Sequence, residues 1–279
     1  MNDPMITTEA LAARLGAPDL KIIDATWNLD GSDAVAPFKA AHIPGAVFFD
    51  IDAVSDPDTD LPHMLPSPDA FARAVETLGI GSDDEVVIYD QNGVRSSPRL
   101  WWTFRVFGHD RVRVLDGGLP KWVREERPTQ SGDPAIKAAG SFTPTFRPEL
   151  VRARSQILPD ITAGRQLADA RPAARFTGEA PEPRPGLRGG HIPGSHSLPF
   201  PSVLAEDGTL KSAEAIRATL DDAGLNLDGA LTTSCGSGMT AAILALAAAR
   251  AGNWDVAVYD GSWAEWGASK TLPIDIGPA

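Results

Sequence analysis

The tetrapeptide His42-Ile43-Pro44-Gly45 returns as His191-Ile192-Pro193-Gly194, 149 positions later. Asp116-Gly117-Gly118-Leu119-Pro120-Lys121-Trp122 returns as Asp260-Gly261-Ser262-Trp263-Ala264-Glu265-Trp266, at an offset of 144. Between these anchors both halves keep one order. An Asp-Ala pair (Asp24-Ala25, Asp169-Ala170) is followed by His-Ile-Pro-Gly, then a Ser-opened helical stretch (Ser67-Pro68-Asp69, Ser212-Ala213-Glu214), an apolar run and a second helical stretch. One such match carries little weight; four in matching order mean a duplicated domain. A chain of 279 residues is long for one compact domain and comfortable for two.

The repeated unit alternates strands and helices. Leu20–Asp24, Gln166–Asp169, Glu85–Tyr89, Ala230–Ser234, Val112–Leu115 and Val256–Tyr259 are short apolar runs, which predict strands. Pro68–Leu78 and Ala213–Ala223 carry apolar residues at helical spacing behind a serine cap, and Pro98–Phe107 and Thr240–Ala251 predict further helices. This alternation predicts an α/β fold: two tandem domains, each a parallel sheet with helices on both faces. Pro128, Gly132, Pro134, Gly140, Pro144 and Pro148 predict a linker over 128–148 between domains at 1–127 and 149–279.

Composition removes several function classes. A net charge of −12 repels nucleic acid and anionic lipid at long range. The most apolar stretch, Ala241–Ala251, is too short for a membrane span, and the acidic start Met1–Gly16 lacks the basic region of a secretory signal. One cysteine forms neither an internal disulfide nor a cysteine metal cage. The expectation is a soluble cytoplasmic protein with one thiol to explain.

That thiol, Cys235, stands where an apolar strand ends and a helix begins, in Cys235-Gly236-Ser237-Gly238-Met239-Thr240. Ligands of open α/β sheets bind at the carboxyl ends of strands. The amides of a glycine-rich strand-to-helix loop, with the helix dipole behind them, stabilise a thiolate placed there. In mid-strand a cysteine would read as a small core hydrophobe; flanking glycines and a helix start favour a nucleophile. A second signal is a run of arginines, Arg171, Arg175, Arg184 and Arg188, in one proline-rich stretch, suited to recognising carboxylates. The matching stretch of the first half, 28–41, has no arginine, and Asp90 stands where the second half has Cys235. Only the second half is equipped for chemistry.

The chain resembles the tandem-rhodanese sulfurtransferases, and among them the 3-mercaptopyruvate sulfurtransferases. The resemblance rests on Asp24-Ala-Thr-Trp27, the two His-Ile-Pro-Gly motifs, Phe48-Phe-Asp-Ile-Asp52, His63-Met-Leu-Pro66, Ser97-Pro-Arg-Leu-Trp-Trp102, Glu182-Pro-Arg-Pro185, the Cys235 loop and Tyr259-Asp-Gly-Ser-Trp263, and covers essentially the whole chain. It implies an inactive N-terminal domain and a catalytic C-terminal one. Members using thiosulfate carry basic residues directly after the cysteine, whereas those using 3-mercaptopyruvate carry Gly-Ser-Gly, as Gly236-Ser237-Gly238 does here. Met239 departs from the usual valine, an apolar exchange expected to adjust packing only. Thr240 and Ala241 stand where related phosphatases need an arginine, so that reading fails.

The resemblance further implies that Cys235 takes sulfur as a persulfide, cradled by the amides of Gly236, Ser237, Gly238, Met239 and Thr240. It implies that Arg175 and Arg184 hold the donor's carboxylate and ketone oxygen, and that Ser237, His63 and Asp52 form a proton relay. Neither cofactor nor metal is implied. The partners implied are 3-mercaptopyruvate as donor and thioredoxin, a small thiol or cyanide as acceptor, without nucleic acid or membrane. Two alternatives stay open: a thiosulfate:cyanide sulfurtransferase, and a non-enzymatic rhodanese module that carries persulfide sulfur.

Overall fold

A computed structural model describes residues 3–134 and 138–278. They form two compact units. The first comprises 3–56, 65–134, 138–147 and 206–210; the second comprises 57–64, 148–205 and 211–278. Each half of the sequence thus lends a short segment to the unit built by the other, and His63 belongs to the second unit.

Each unit is built on a five-stranded sheet. The first contains β1 (Met5–Ile6), β2 (Leu20–Asp24), β3 (Ala46–Phe48), β4 (Glu85–Tyr89) and β5 (Val112–Leu115), in the order β1-β5-β4-β2-β3. The second contains β6 (Val151–Arg152), β7 (Gln166–Asp169), β8 (Ser195–Ser197), β9 (Leu231–Ser234) and β10 (Ala257–Tyr259), in the equivalent order β6-β10-β9-β7-β8. All neighbours pair in parallel. Successive strand residues face opposite sides, yet Val86, Val87, Ile88 and Tyr89 are all fully buried, so both faces of β4 are covered. That is why β4 reads as the unbroken apolar run Val86-Val87-Ile88-Tyr89.

The helices follow the predicted pattern. In α1 (Pro68–Thr77) the Ser67 hydroxyl accepts from the Ala70 N–H, and proline occupies the first turn, where its missing N–H costs nothing. The second unit repeats the cap, Ser212 accepting from the Ala215 N–H, at α4 (Ala213–Asp222). Helices α2 (Ser97–Val106) and α5 (Ala241–Arg250) follow β4 and β9, and both are buried almost all round. The helices α3 (Gly118–Arg124) and α6 (Ser262–Trp266) come after the last strand of each sheet.

The His-Ile-Pro-Gly repeats serve the scaffold. His42 Nδ1 bonds the Phe38 carbonyl at 2.8 Å and its ring stacks on Phe38; His191 does the same with the Phe176 carbonyl at 3.0 Å and the Phe176 ring. Each histidine also pairs its backbone antiparallel with chain beyond the last helix of its unit, His42 with Gln130 and His191 with Asp275.

Much of the stretch 128–148, expected to link the two domains, is packed and not slack. Residues 135–137 of that reading lie outside the described residues. The remainder up to Arg147 packs on the first unit: Phe142 is buried among Phe71, Phe104 and His109, the Gly140 N–H bonds the Glu76 carbonyl, and the Thr145 N–H bonds the Phe107 carbonyl. A side chain at Gly140 would start 2.0 Å from the Ile80 carbonyl oxygen, so glycine here marks a close approach, not slack.

Candidate active site

Strand β9 ends at Ser234 and delivers Cys235, 2% exposed, into the predicted strand-to-helix loop. Two backbone hydrogen bonds tie the loop to the start of α6, from the Trp263 N–H to the Cys235 carbonyl (3.0 Å) and from the Ala264 N–H to the Gly236 carbonyl (2.8 Å). Between them the Ser262 hydroxyl accepts from the N–H groups of both Cys235 and Gly238, each at 3.1 Å, and donates to the Tyr259 carbonyl at 2.8 Å. Ser262 holds φ +48°; its repeat partner Gly118 holds φ +56°. A side chain is kept where glycine is the easy choice, and its oxygen is what fastens the loop.

The Gly238 N–H bonds Ser262 Oγ, and Gly238 turns the loop at a left-handed φ of +76°. Among the described residues, the N–H groups of Gly236, Ser237, Met239 and Thr240 bond no acceptor of the chain. The Met239 side chain is buried, as its apolar character predicts.

The four arginines divide by role. Arg171, 1% exposed, bonds both oxygens of Asp169 at the end of β7, Glu182 Oε1 at 2.8 Å and the Gly190 carbonyl at 2.9 Å, with its guanidinium 4.0 Å above the Trp263 ring. Arg188 donates to the carbonyls of Trp266, Gly267 and Leu272 and so braces the C-terminal segment. Arg175 and Arg184 reach the cysteine loop: a Cβ at Gly236 would stand 3.2 Å from Arg175 Nη2 and 3.8 Å from Arg184 Nη1. Arg175 is held by Glu182 Oε2 through Nε and Nη2. Arg184 Nη2 donates to Ser237 Oγ at 3.3 Å and faces His63 Nε2 at 3.5 Å.

The second unit therefore gathers Cys235, Ser237, His63, Arg175 and Arg184 around one loop. Among the described residues no direct hydrogen bond joins Ser237 to His63; both converge on Arg184. His63 is buried at φ +62°. Asp52 belongs to the first unit, where Trp27 Nε1 donates to its carboxylate at 2.9 Å.

The first unit shows what its own loop became. Asp90 Oδ2 accepts from the N–H groups of Arg95, Ser96 and Ser97 and from Ser97 Oγ, while Oδ1 accepts from the Asn92 N–H. The carboxylate fills its own loop, so the amides that would turn to a bound anion are already occupied. Three positions of the second half carry roles beyond those the residue types suggested: Ser262, Glu182 and Arg171. The repeat itself holds a signal for the first, a serine aligned with a glycine.

Comparison with known proteins identifies the family. Residues 7–125 and 155–269 each match the rhodanese-like domain family. The chain is 41% identical to the 3-mercaptopyruvate sulfurtransferase of Escherichia coli K12, over 95% of both chains. It is 43% identical to the mitochondrial thiosulfate/3-mercaptopyruvate sulfurtransferase 1 of Arabidopsis thaliana, over 98% of this chain and 78% of that one. Among solved structures it is similar to SseA from Escherichia coli, described as a 3-mercaptopyruvate sulfotransferase, with a TM-score of 0.85 at 38% identity, covering 94% of this chain and 99% of that one.

Proposed function

The chain belongs to the rhodanese-like family, and from that membership we propose that it is a 3-mercaptopyruvate sulfurtransferase working through a persulfide on Cys235. The observation that carries this reading is the meeting of one buried cysteine with two arginines over a loop that has no basic residue of its own. A three-carbon keto acid offers a carboxylate and a ketone oxygen to Arg184 and Arg175, and this sets its sulfur against Cys235.

The Cys235 thiolate attacks that sulfur. The carbon–sulfur bond breaks, its electron pair leaves with the pyruvate enolate, and a proton converts the enolate to pyruvate. Ser237 accepts a hydrogen bond from Arg184, which leaves its hydroxyl proton to be donated elsewhere, so we assign it as the enolate's proton donor, with His63 and Asp52 as the remainder of the relay. The amides of Gly236, Ser237, Met239 and Thr240 hold the outer sulfur. An acceptor thiolate, from thioredoxin or a small thiol, or cyanide, then attacks the outer sulfur and Cys235 leaves as thiolate. Covalent storage of the sulfur makes the kinetics ping-pong. A lone cysteine that must stay reduced suits a reducing compartment such as the cytoplasm, and no described helix is long and apolar enough to cross a membrane.

Intact mass spectrometry after treatment with 3-mercaptopyruvate tests the reading. One added sulfur on Cys235, removed by cyanide as thiocyanate and absent in Cys235→Ser, is the expected result. Pyruvate release by Cys235→Ser would remove Cys235 as the nucleophile, and an unmodified parent protein would overturn the reading.

A further inference from the structure

Charges around the donor site do not add up as the two arginines alone suggest. Asp169, Arg171, Arg175 and Glu182 form one connected group of two carboxylates and two guanidiniums. The Glu182 side chain, 1% exposed, binds Arg171 through Oε1 and Arg175 through Oε2. Arg175 therefore arrives at the loop with its charge already balanced. Arg184 does not: among the described residues it has no carboxylate partner, and its Nη2 meets the Ser237 hydroxyl and the His63 ring nitrogen Nε2.

We infer that Glu182 is a positioning residue that sets donor specificity: by holding Arg175 and cancelling its charge, it leaves Arg184 as the arginine at the loop without a carboxylate partner among the described residues. A site with one free positive charge suits a donor carrying one negative charge beside its sulfur, a keto-acid carboxylate, over a donor carrying two, such as thiosulfate. Glu182 also aims the fork. With both Arg175 Nε and Nη2 engaged on one carboxylate oxygen, the guanidinium is fixed as a hydrogen-bond donor for a neutral oxygen, which is the part a ketone needs.

This inference rests on the sulfurtransferase reading, and its test separates the two. Glu182→Gln keeps the side-chain shape and removes the charge; Arg175→Gln removes the charge that Glu182 balances. Steady-state kcat/KM is measured with 3-mercaptopyruvate and with thiosulfate, alongside calorimetric binding of sulfate (a dianion) and pyruvate (a monoanion). Glu182→Gln should move the donor ratio towards thiosulfate by at least about fivefold and tighten sulfate relative to pyruvate, because the added charge acts on two negative charges rather than one. Arg175→Gln should move both ratios the opposite way. A merely structural role for Glu182 would weaken both donors and both anions in proportion, and that outcome overturns the inference. So does a shift towards thiosulfate in Arg175→Gln, which keeps the test decisive even where Glu182→Gln does not fold. A parent enzyme that takes sulfur from neither donor overturns the sulfurtransferase reading instead, and the sulfate-to-pyruvate binding ratio still reports on Glu182.

Discussion

Ser262 occupies a left-handed backbone position that costs a side-chain-bearing residue about 1–2 kcal/mol, and the cysteine loop depends on its oxygen. Ser262→Ala keeps the strain and loses the oxygen; Ser262→Gly loses the oxygen and the strain together. Both should lower sulfur transfer about tenfold or more, since two loop donors lose their acceptor. Ser262→Gly should nevertheless be the more stable of the two by about 1 kcal/mol in urea unfolding. An alanine variant as stable as the glycine one would refute the strain argument. Arg175→Ala and Arg184→Ala should each cost about 10- to 150-fold in kcat/KM for 3-mercaptopyruvate, the loss of one charge-assisted contact of about 1.5–3 kcal/mol. The place of Cys235 in a strand-to-helix loop was legible from its glycine neighbours. The separation of Arg175 and Arg184 from Arg171 and Arg188 was not, because it depends on which acceptors the fold brings near, Asp169 and Glu182 for one, carbonyls of 266–272 for another.

At the scale of elements, β2, β4, β5 and β7 match their predicted spans, because each carries buried apolar residues over a short stretch. The short strands β3 and β8, three residues each at a sheet edge, were silent: Ala46-Val47-Phe48 and Ser195-His196-Ser197 are too brief to show a period. The duplicated caps make a paired prediction. Ser67→Ala and Ser212→Ala should each destabilise by about 1 kcal/mol, read as a shift in urea midpoint with an unchanged slope. The cysteine loop makes another. Arginine at 236 would start 3.2 Å from Arg175 Nη2 and push that fork aside, so the double variant Gly236→Arg, Ser237→Lys should lose 3-mercaptopyruvate activity while gaining relative use of thiosulfate. A donor ratio left where it was in the parent would show that loop charge does not select the donor.

For the whole molecule, acid is the informative stress. Burial against Phe104 and Phe142 pushes His109 below the ordinary histidine value of 6.5, and its Nε2 has no hydrogen-bond partner among the described residues. The unfolded chain binds this proton near pH 6.5 and the folded chain only at lower pH. Stability from this group is therefore complete above that value and falls as pH drops through the window beneath it. Melting temperature measured from pH 7.5 to 5 should decline, and His109→Leu should flatten part of the decline; an equal slope in parent and variant would exonerate His109. The two-unit plan was legible in the repeat, since the anchors recur in order. The exchange of 57–64 and 206–210 was not, because no local pattern says which body a loop will join.

That exchange bears on the order in which a ribosome can finish this protein. When residue 147 emerges, every strand of the first sheet has been made, but Leu210, whose N–H bonds Asp116 Oδ1 at 2.8 Å, has not. His63 is made early and waits more than a hundred residues for Arg184 and Ser237. Neither unit is complete in a nascent chain that stops at the midpoint, and a gene cut there would yield a second fragment without its histidine.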